Sequence, residues 1–171
     1  VACGCIVFAD ARGWFRETYN ARVWREAGIA DSWVQDNESL SLAPGTVRGL
    51  HFQIPPMAQA KLISCLSGAI VDIAVDIRRA SPTYRRHVAV ELSAENGHLL
   101  YVPEGFAHGF AALSPNTMVQ YKVSRPYDPA SERGIAWNDS DLGIGWPRFT
   151  KPVLSGRDAD LPLLKDIVAY F

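Results

Sequence analysis

Between positions 48 and 61 the chain carries a guanidinium, an imidazole and an ammonium. The run is Arg48-Gly49-Leu50-His51-Phe52-Gln53-Ile54-Pro55-Pro56-Met57-Ala58-Gln59-Ala60-Lys61. An imidazole titrates near neutral pH, so His51 can accept and release a proton there. A lone histidine is more often a hydrogen-bonded structural residue than a base, so its neighbours decide. Pro55-Pro56 reads as a turn, because proline neither continues a helix nor donates a backbone N–H. Residues 46–52 read as one strand and 61–66 as the next, a unit that can direct His51 and Lys61 into one cavity.

The elements that must position these groups follow a period of two. Residues 5–9 make a short apolar strand, and Asp10-Ala11-Arg12-Gly13 makes a turn. From 14 to 19 polar positions are expected outside and aromatics inside. Residues 20–27 read as a helix, with Asn20 as N-cap and Gly28 as the stop. Strands are expected at 33–41, 68–77, 87–92, 98–102, 106–113 and 118–123. In 68–77, Val71, Ile73, Val75 and Ile77 share one face, while Asp72, Ala74 and Asp76 share the other. An inward acid is costly unless paired, so Asp72 and Asp76 are expected to be solvated or engaged with a cation. Residues 126–152 read as an ordered loop, and 161–171 carry apolar residues at helical spacing.

Length and composition set the bounds. The chain has 171 residues, 48% of them apolar and 20% charged, with a formal net charge of -1. A single soluble domain over 1–171 is expected, with no electrostatic case for nucleic acid or an anionic membrane. No run of about 18 apolar residues exists, so no membrane span is expected. Cys3, Cys5 and Cys65 cannot all pair with one another, and no secretory pattern precedes the first strand. A reduced, cytoplasmic protein is expected, with Cys65 in the core.

Many short strands with little helix point to an all-β sandwich or barrel. Gly97, Pro103, Gly105 and His108 have the spacing Gly-x5-Pro-x-Gly-x2-His. That spacing resembles the second signature of the cupin jelly rolls, which implies a jelly-roll barrel with a few short peripheral helices. Cupins of this kind often hold a metal on two histidines one residue apart and a carboxylate. The matching positions here are His51 and Gln53, followed by Gln59 and Lys61. A lysine is hostile to a cation, so no metal is expected and His51 is free to act as a base.

The chain also resembles the dTDP-4-dehydrorhamnose 3,5-epimerase family along nearly its whole length. The shared motifs include Asp10-Ala11-Arg12-Gly13-Trp14-Phe15-Arg16-Glu17, Gln35-Asp36-Asn37-Glu38-Ser39 and Arg48-Gly49-Leu50-His51-Phe52-Gln53. They continue with Gln59-Ala60-Lys61-Leu62, Pro103-Glu104-Gly105-Phe106-Ala107-His108-Gly109-Phe110, Tyr121-Lys122 and Trp137-Asn138-Asp139. The resemblance implies a homodimeric jelly roll that needs no cofactor and acts on a dTDP-linked 4-keto-6-deoxyglucose. Epimerisation beside a ketone needs a base, an oxyanion stabiliser and an acid on the opposite face. His51 suits the base. Lys61 suits the oxyanion, on the expectation that its charge is fixed. Tyr121, a phenol protonated at neutral pH, suits the acid. By resemblance Asp158 orients His51; Asp72 is a second candidate for that carboxylate. Also by resemblance, Arg12, Arg48 and Arg157 meet the diphosphate, while Glu17, Gln35, Asn37, His108 and Glu132 are polar substrate contacts. Phe8 and Tyr127 are candidates to flank the base or sugar.

Three other readings use the same residues differently. One is an epimerase that inverts a single carbon or takes another nucleotide sugar. A sugar-binding jelly roll without catalysis is disfavoured by His51, Lys61 and Tyr121 standing together. Metal-dependent chemistry is disfavoured by Gln53 and Lys61.

Overall fold

The computed structural model describes residues 2–171, and the alternating segments of the sequence form most of its strands. In chain order these are β1 (Ala2–Cys3), β2 (Val7–Asp10), β3 (Gly13–Arg16), β4 (Gln35–Ser41), β5 (Val47–Gln53) and β6 (Lys61–Ser67). They continue with β7 (Ala69–Asp76), β8 (His87–Ser93), β9 (Leu99–Val102), β10 (Phe106–Ala112), β11 (Thr117–Val123) and β12 (Glu132–Gly134). Two short helices, α1 (Ala21–Glu26) and α2 (Gly156–Ala159), lie outside the sheets. One five-stranded sheet runs β1-β9-β6-β11-β4, and a second runs β12-β5-β10-β7-β8. Neighbouring strands pair antiparallel, as a jelly roll requires. The β2–β3 hairpin stands apart from both sheets.

The two sheets face one another across an interior that changes character along its length. One end is apolar: Ile63, Cys65, Ile70, Leu92, Leu100, Phe110 and Val119 pack there, with Cys65 in the core as expected. The other end is lined by polar side chains from the same strands. Each sheet also has a covered outer face. Trp24 of α1 and Ile29 pack on Leu62 and Leu99. Leu142, Leu164, Ile167, Tyr170 and Phe171 lie over Leu50, Phe52, Ile73 and Val75. That double covering explains why β7 is buried on both faces although its sequence alternates. Its odd-numbered residues meet the C-terminal segment, and its even-numbered ones, Asp72 included, point into the barrel.

Local chemistry sets several boundaries. Asn20 caps α1, its side chain accepting from the backbone N–H of Arg22 and Val23. Gly105, at φ +79°, makes the turn into β10, and an added Cβ would lie 2.6 Å from Arg78 Cγ. Asp76, the second acid of β7, is closed by the Arg78 guanidinium and the hydroxyls of Ser81 and Thr83.

Three expectations need correction. Residues 161–171 form no helix beyond a single 3-10 turn, Leu164–Asp166. Their apolar spacing serves an extended segment laid over a sheet face, and burial there outweighs a local periodicity. The loop at 126–152 contains β12, which pairs with β5 and completes the second sheet. Trp14 and Phe15 are mainly exposed rather than buried, because their hairpin has no sheet of this chain behind it.

Candidate active site

The polar end of the barrel holds a cavity of two adjoining lobes, about 210 and about 490 Å³. His51, Lys61, Tyr121 and Glu132 line both lobes, so these four stand where the lobes meet. His51 comes from β5 and Glu132 from β12 of one sheet; Lys61 comes from β6 and Tyr121 from β11 of the other. Gln35 and Asn37 of β4 line the smaller lobe, and Arg48, His108 and Arg157 line the larger.

Close backbone approach places the histidines. β5 and β10 meet at Gly49, where an added Cβ would lie 2.6 Å from the His108 carbonyl oxygen. The register then sets His51 directly opposite His108, each with a carboxylate of its own. His51 Nε2 lies 2.6 Å from Asp158 Oδ1, and His108 Nε2 lies 2.6 Å from Asp72 Oδ1. Asp158 is therefore the partner of His51; Asp72, the other candidate, belongs to His108. Asp158 sits on α2, its backbone N–H donating to Ser155 Oγ. Burial pushes the Asp158 carboxyl up, but the hydrogen bond and charge of His51, the Gly49 N–H and Ser155 outweigh it and leave it below the ordinary range. With that carboxylate ionised, Nε2 of His51 carries the proton and Nδ1 is left as the basic nitrogen.

Lys61 departs from the expectation of a fixed charge. Desolvation lowers its pKa from the ordinary 10.5 to about 8, opposed by the negative charges of Glu132 and Asp72. Its ammonium therefore titrates close to neutral pH. Burial raises the Tyr121 pKa; Arg48 opposes that rise, while Glu132 and Tyr127 add to it. The phenol keeps its proton at neutral pH. Burial pushes Glu132 up as well, but the Tyr127 hydroxyl, donating at 2.6 Å, and Arg157, at 2.7 Å, hold it below the ordinary carboxylate range.

Most of the remaining predicted contacts are brought together. Gln35 donates from Nε2 to Asn37 Oδ1 at 2.7 Å and accepts from the Tyr127 backbone N–H. Arg48 is steadied by the Leu40 carbonyl and Ser41 Oγ. Gln53 is engaged by its own neighbourhood: its amide donates to the Met57 and Pro126 carbonyls and accepts from the Asp128 N–H. Among the described residues, no group of three His, Cys, Asp or Glu side chains is placed to hold a metal ion. Arg12 and Glu17 are not brought to the cavity of their own chain. Arg12 is exposed on the hairpin and pairs with Asp10 at 2.6 Å, and Glu17 lines a separate groove beside α1. Phe8 is exposed on the same hairpin. Sequence reasoning missed the pairing of Asp72 with His108; the alternation of β7 put Asp72 inward, but only the strand register names its partner.

Two facing five-stranded sheets with a polar cavity at one end make this chain a cupin-type jelly roll, the architecture it shares with solved sugar-nucleotide epimerases. The chain belongs to the dTDP-4-dehydrorhamnose 3,5-epimerase family, whose model matches residues 2–166. The family's protein from Sinorhizobium fredii is 50% identical over 165 residues, which span 96% of this chain and 84% of that one. The Legionella pneumophila epimerase, solved with dTDP-4-keto-L-rhamnose, superposes with a TM-score of 0.94 at 43% identity, covering 98% of this chain and 89% of that one. ChmJ, a 3'-monoepimerase from Streptomyces bikiniensis, was solved with dTDP as a double mutant. It superposes with a TM-score of 0.90 at 33% identity, covering 96% of this chain and 82% of that one. Among the described residues, no helix is long and apolar enough to cross a membrane.

Proposed function

We propose that the chain, as one epimerase domain, inverts C3 and C5 of dTDP-4-keto-6-deoxyglucose and feeds dTDP-L-rhamnose synthesis. One observation carries this reading. His51 on one sheet, paired with Asp158 of α2, and a protonated tyrosine on the facing sheet open onto one cavity that also holds a lysine. His51 Nδ1 takes the proton from the carbon beside the ketone. Negative charge then develops on the ketone oxygen, where the Lys61 ammonium meets it. Tyr121 returns a proton to the opposite face, and exchange with water resets both groups. The acidity comes from the substrate's own ketone, so these steps call for no cofactor. Arg48 and Arg157 supply the charge for the diphosphate, and Gln35, Asn37, His108 and Glu132 supply polar contacts to sugar and base. The Legionella relative's bound dTDP-4-keto-L-rhamnose supports this choice of substrate.

The active form we propose is a homodimer. Ile6, Phe8, Trp14 and Phe15 are each 60–75% exposed along an arm that has no cover within the chain. Arg12 and Glu17 lie on the same arm, away from their own cavity. A second copy that buries the arm brings both residues to the cavity mouth of its partner. Sedimentation should show a dimer, and mixing Arg12→Ala with His51→Ala chains should restore activity that neither has alone; a monomeric, active protein would overturn this.

A second reading, inversion at one carbon only, also has an observation behind it. The His and Tyr substituted in ChmJ stand seventy positions apart, the same spacing as His51 and Tyr121. The base–acid pair therefore serves one inversion or two. Deuterium separates them: the protein is incubated with dTDP-4-keto-6-deoxyglucose in heavy water and the product is reduced and examined by NMR. Label and inversion at both C3 and C5 establish the double epimerase. Inversion at one carbon establishes the restricted one. No label above a no-enzyme control overturns both.

A further inference from the structure

Asp72 is fully buried, and among the described residues its Oδ2 has no hydrogen-bond partner. Its Oδ1 engages His108, a residue that lines the larger lobe. A carboxylate sealed in a barrel with one oxygen unsatisfied is expensive, and an asparagine would fill the same space and still accept from the His108 ring. The feature that distinguishes aspartate here is its charge. The groups that face it are His108 from β10 and Lys61 and Cys65 from β6. Of these, Lys61 supplies compensating positive charge and His108 a hydrogen bond. Lys61 is also faced by Glu132 from β12, and it shares the cavity with His51 and Tyr121.

We infer that Asp72 is a positioning residue of this site: it orients the His108 ring with Nε2 protonated and sets a negative charge across the barrel interior from the Lys61 ammonium. The inference rests on the epimerase reading, since it makes Asp72 act through two residues of that site. His108 is held with Nδ1 as its free nitrogen, and no protein group among the described residues bonds to that atom. Desolvation works against the Lys61 proton, and the negative charges of Glu132 and Asp72 work to keep it. Glu132 is also engaged by Arg157 and Tyr127, whereas among the described residues Asp72 is balanced by the Lys61 charge and the His108 hydrogen bond.

The test is Asp72→Asn, which keeps shape and acceptor and removes the charge. With dTDP-4-keto-6-deoxyglucose, kcat should fall roughly 10- to 100-fold while KM stays within about threefold. The alkaline limb of the kcat/KM profile should move to lower pH, because Lys61 has lost one of its two anionic neighbours. A folded variant with the kcat and the alkaline limb of the parent would overturn the inference. Should the variant not fold, nitrogen-15 NMR of the histidines in the parent protein decides: a proton on His108 Nε2 supports the inference and a bare Nε2 overturns it. A parent protein without turnover would instead sink the epimerase reading, and the NMR measurement would still test how Asp72 holds His108.

Discussion

Two histidine–carboxylate pairs sit side by side on neighbouring strands, both with Nε2 2.6 Å from a carboxylate oxygen. They differ in access and in where the carboxylate comes from. The His51 side chain is 27% exposed to the cavity, and Asp158 reaches it from α2, far along the chain. The His108 side chain is 8% exposed, and Asp72 is wholly enclosed on the adjacent strand. Identical pairing chemistry therefore has two uses. The open pair can exchange protons with substrate, and its carboxylate is well satisfied, bonded to His51 and Ser155 and facing Gly49. The closed pair is nearly sealed, and among the described residues Asp72 Oδ2 has no partner, which suits this pair to positioning rather than to proton exchange.

The sharpest way to break this comparison is to remove each histidine. His51→Ala should lower deuterium uptake about 10³- to 10⁴-fold, with dTDP binding nearly unchanged by calorimetry. Equal loss in His108→Ala, with label uptake abolished, would mean that the closed pair is the base. Asp158→Asn should cost on the order of 10²-fold in kcat, because the ring loses the carboxylate that fixes its tautomer. Tyr121→Phe should keep label uptake and slow product formation by about 10²-fold; unchanged turnover would assign the acid elsewhere.

Smaller effects sharpen the electrostatic half of the contrast. Lys61 is protonated below a pKa of about 8 and neutral above it. In the proposed mechanism, oxyanion stabilisation is full below that pH and is lost as pH rises through it, so kcat/KM should fall on the alkaline side near 8. A rate that holds until the ordinary lysine range near 10 would contradict the desolvation of Lys61. The smallest change in turnover is expected from Asp76→Asn, although Asp76 is, with Asp72, an inward acid of β7. Burial pushes Asp76 up, but Arg78, Ser81 and Thr83 outweigh it and hold it well below the ordinary carboxylate range. Its folded-state pKa is depressed, so its stabilisation is present above the unfolded value and is lost as pH falls. The variant should lose about 2–4 kcal/mol by denaturant unfolding at neutral pH, with kcat per folded molecule unchanged.

Alternation makes the strands legible: the period of two places β7 within one residue of its ends and turns two acids inward, where they need partners. Gly105 and His108 marked the jelly roll because a positive-φ turn leaves few residue choices. The segment at 161–171 is ambiguous in sequence, because three- and four-residue spacing of apolar groups suits a helix and also a strap that touches a sheet at intervals. β12 was too short to show a period. Trp14 and Phe15 have the side chains of interior residues, and the chain by itself offers them no interior.

The sequence by itself determined the strand pattern, the family and the set of groups able to run the reaction, because side-chain identity and a period of two are local properties. Tertiary structure alone decided the rest. It gave Asp72 to His108 and left His51 to Asp158, the partner the resemblance implied, a matter of register and of a helix more than a hundred residues away. It also made Lys61 titratable near neutral pH, because desolvation and opposing charges depend on what closes over a residue, and neighbours in sequence do not supply that.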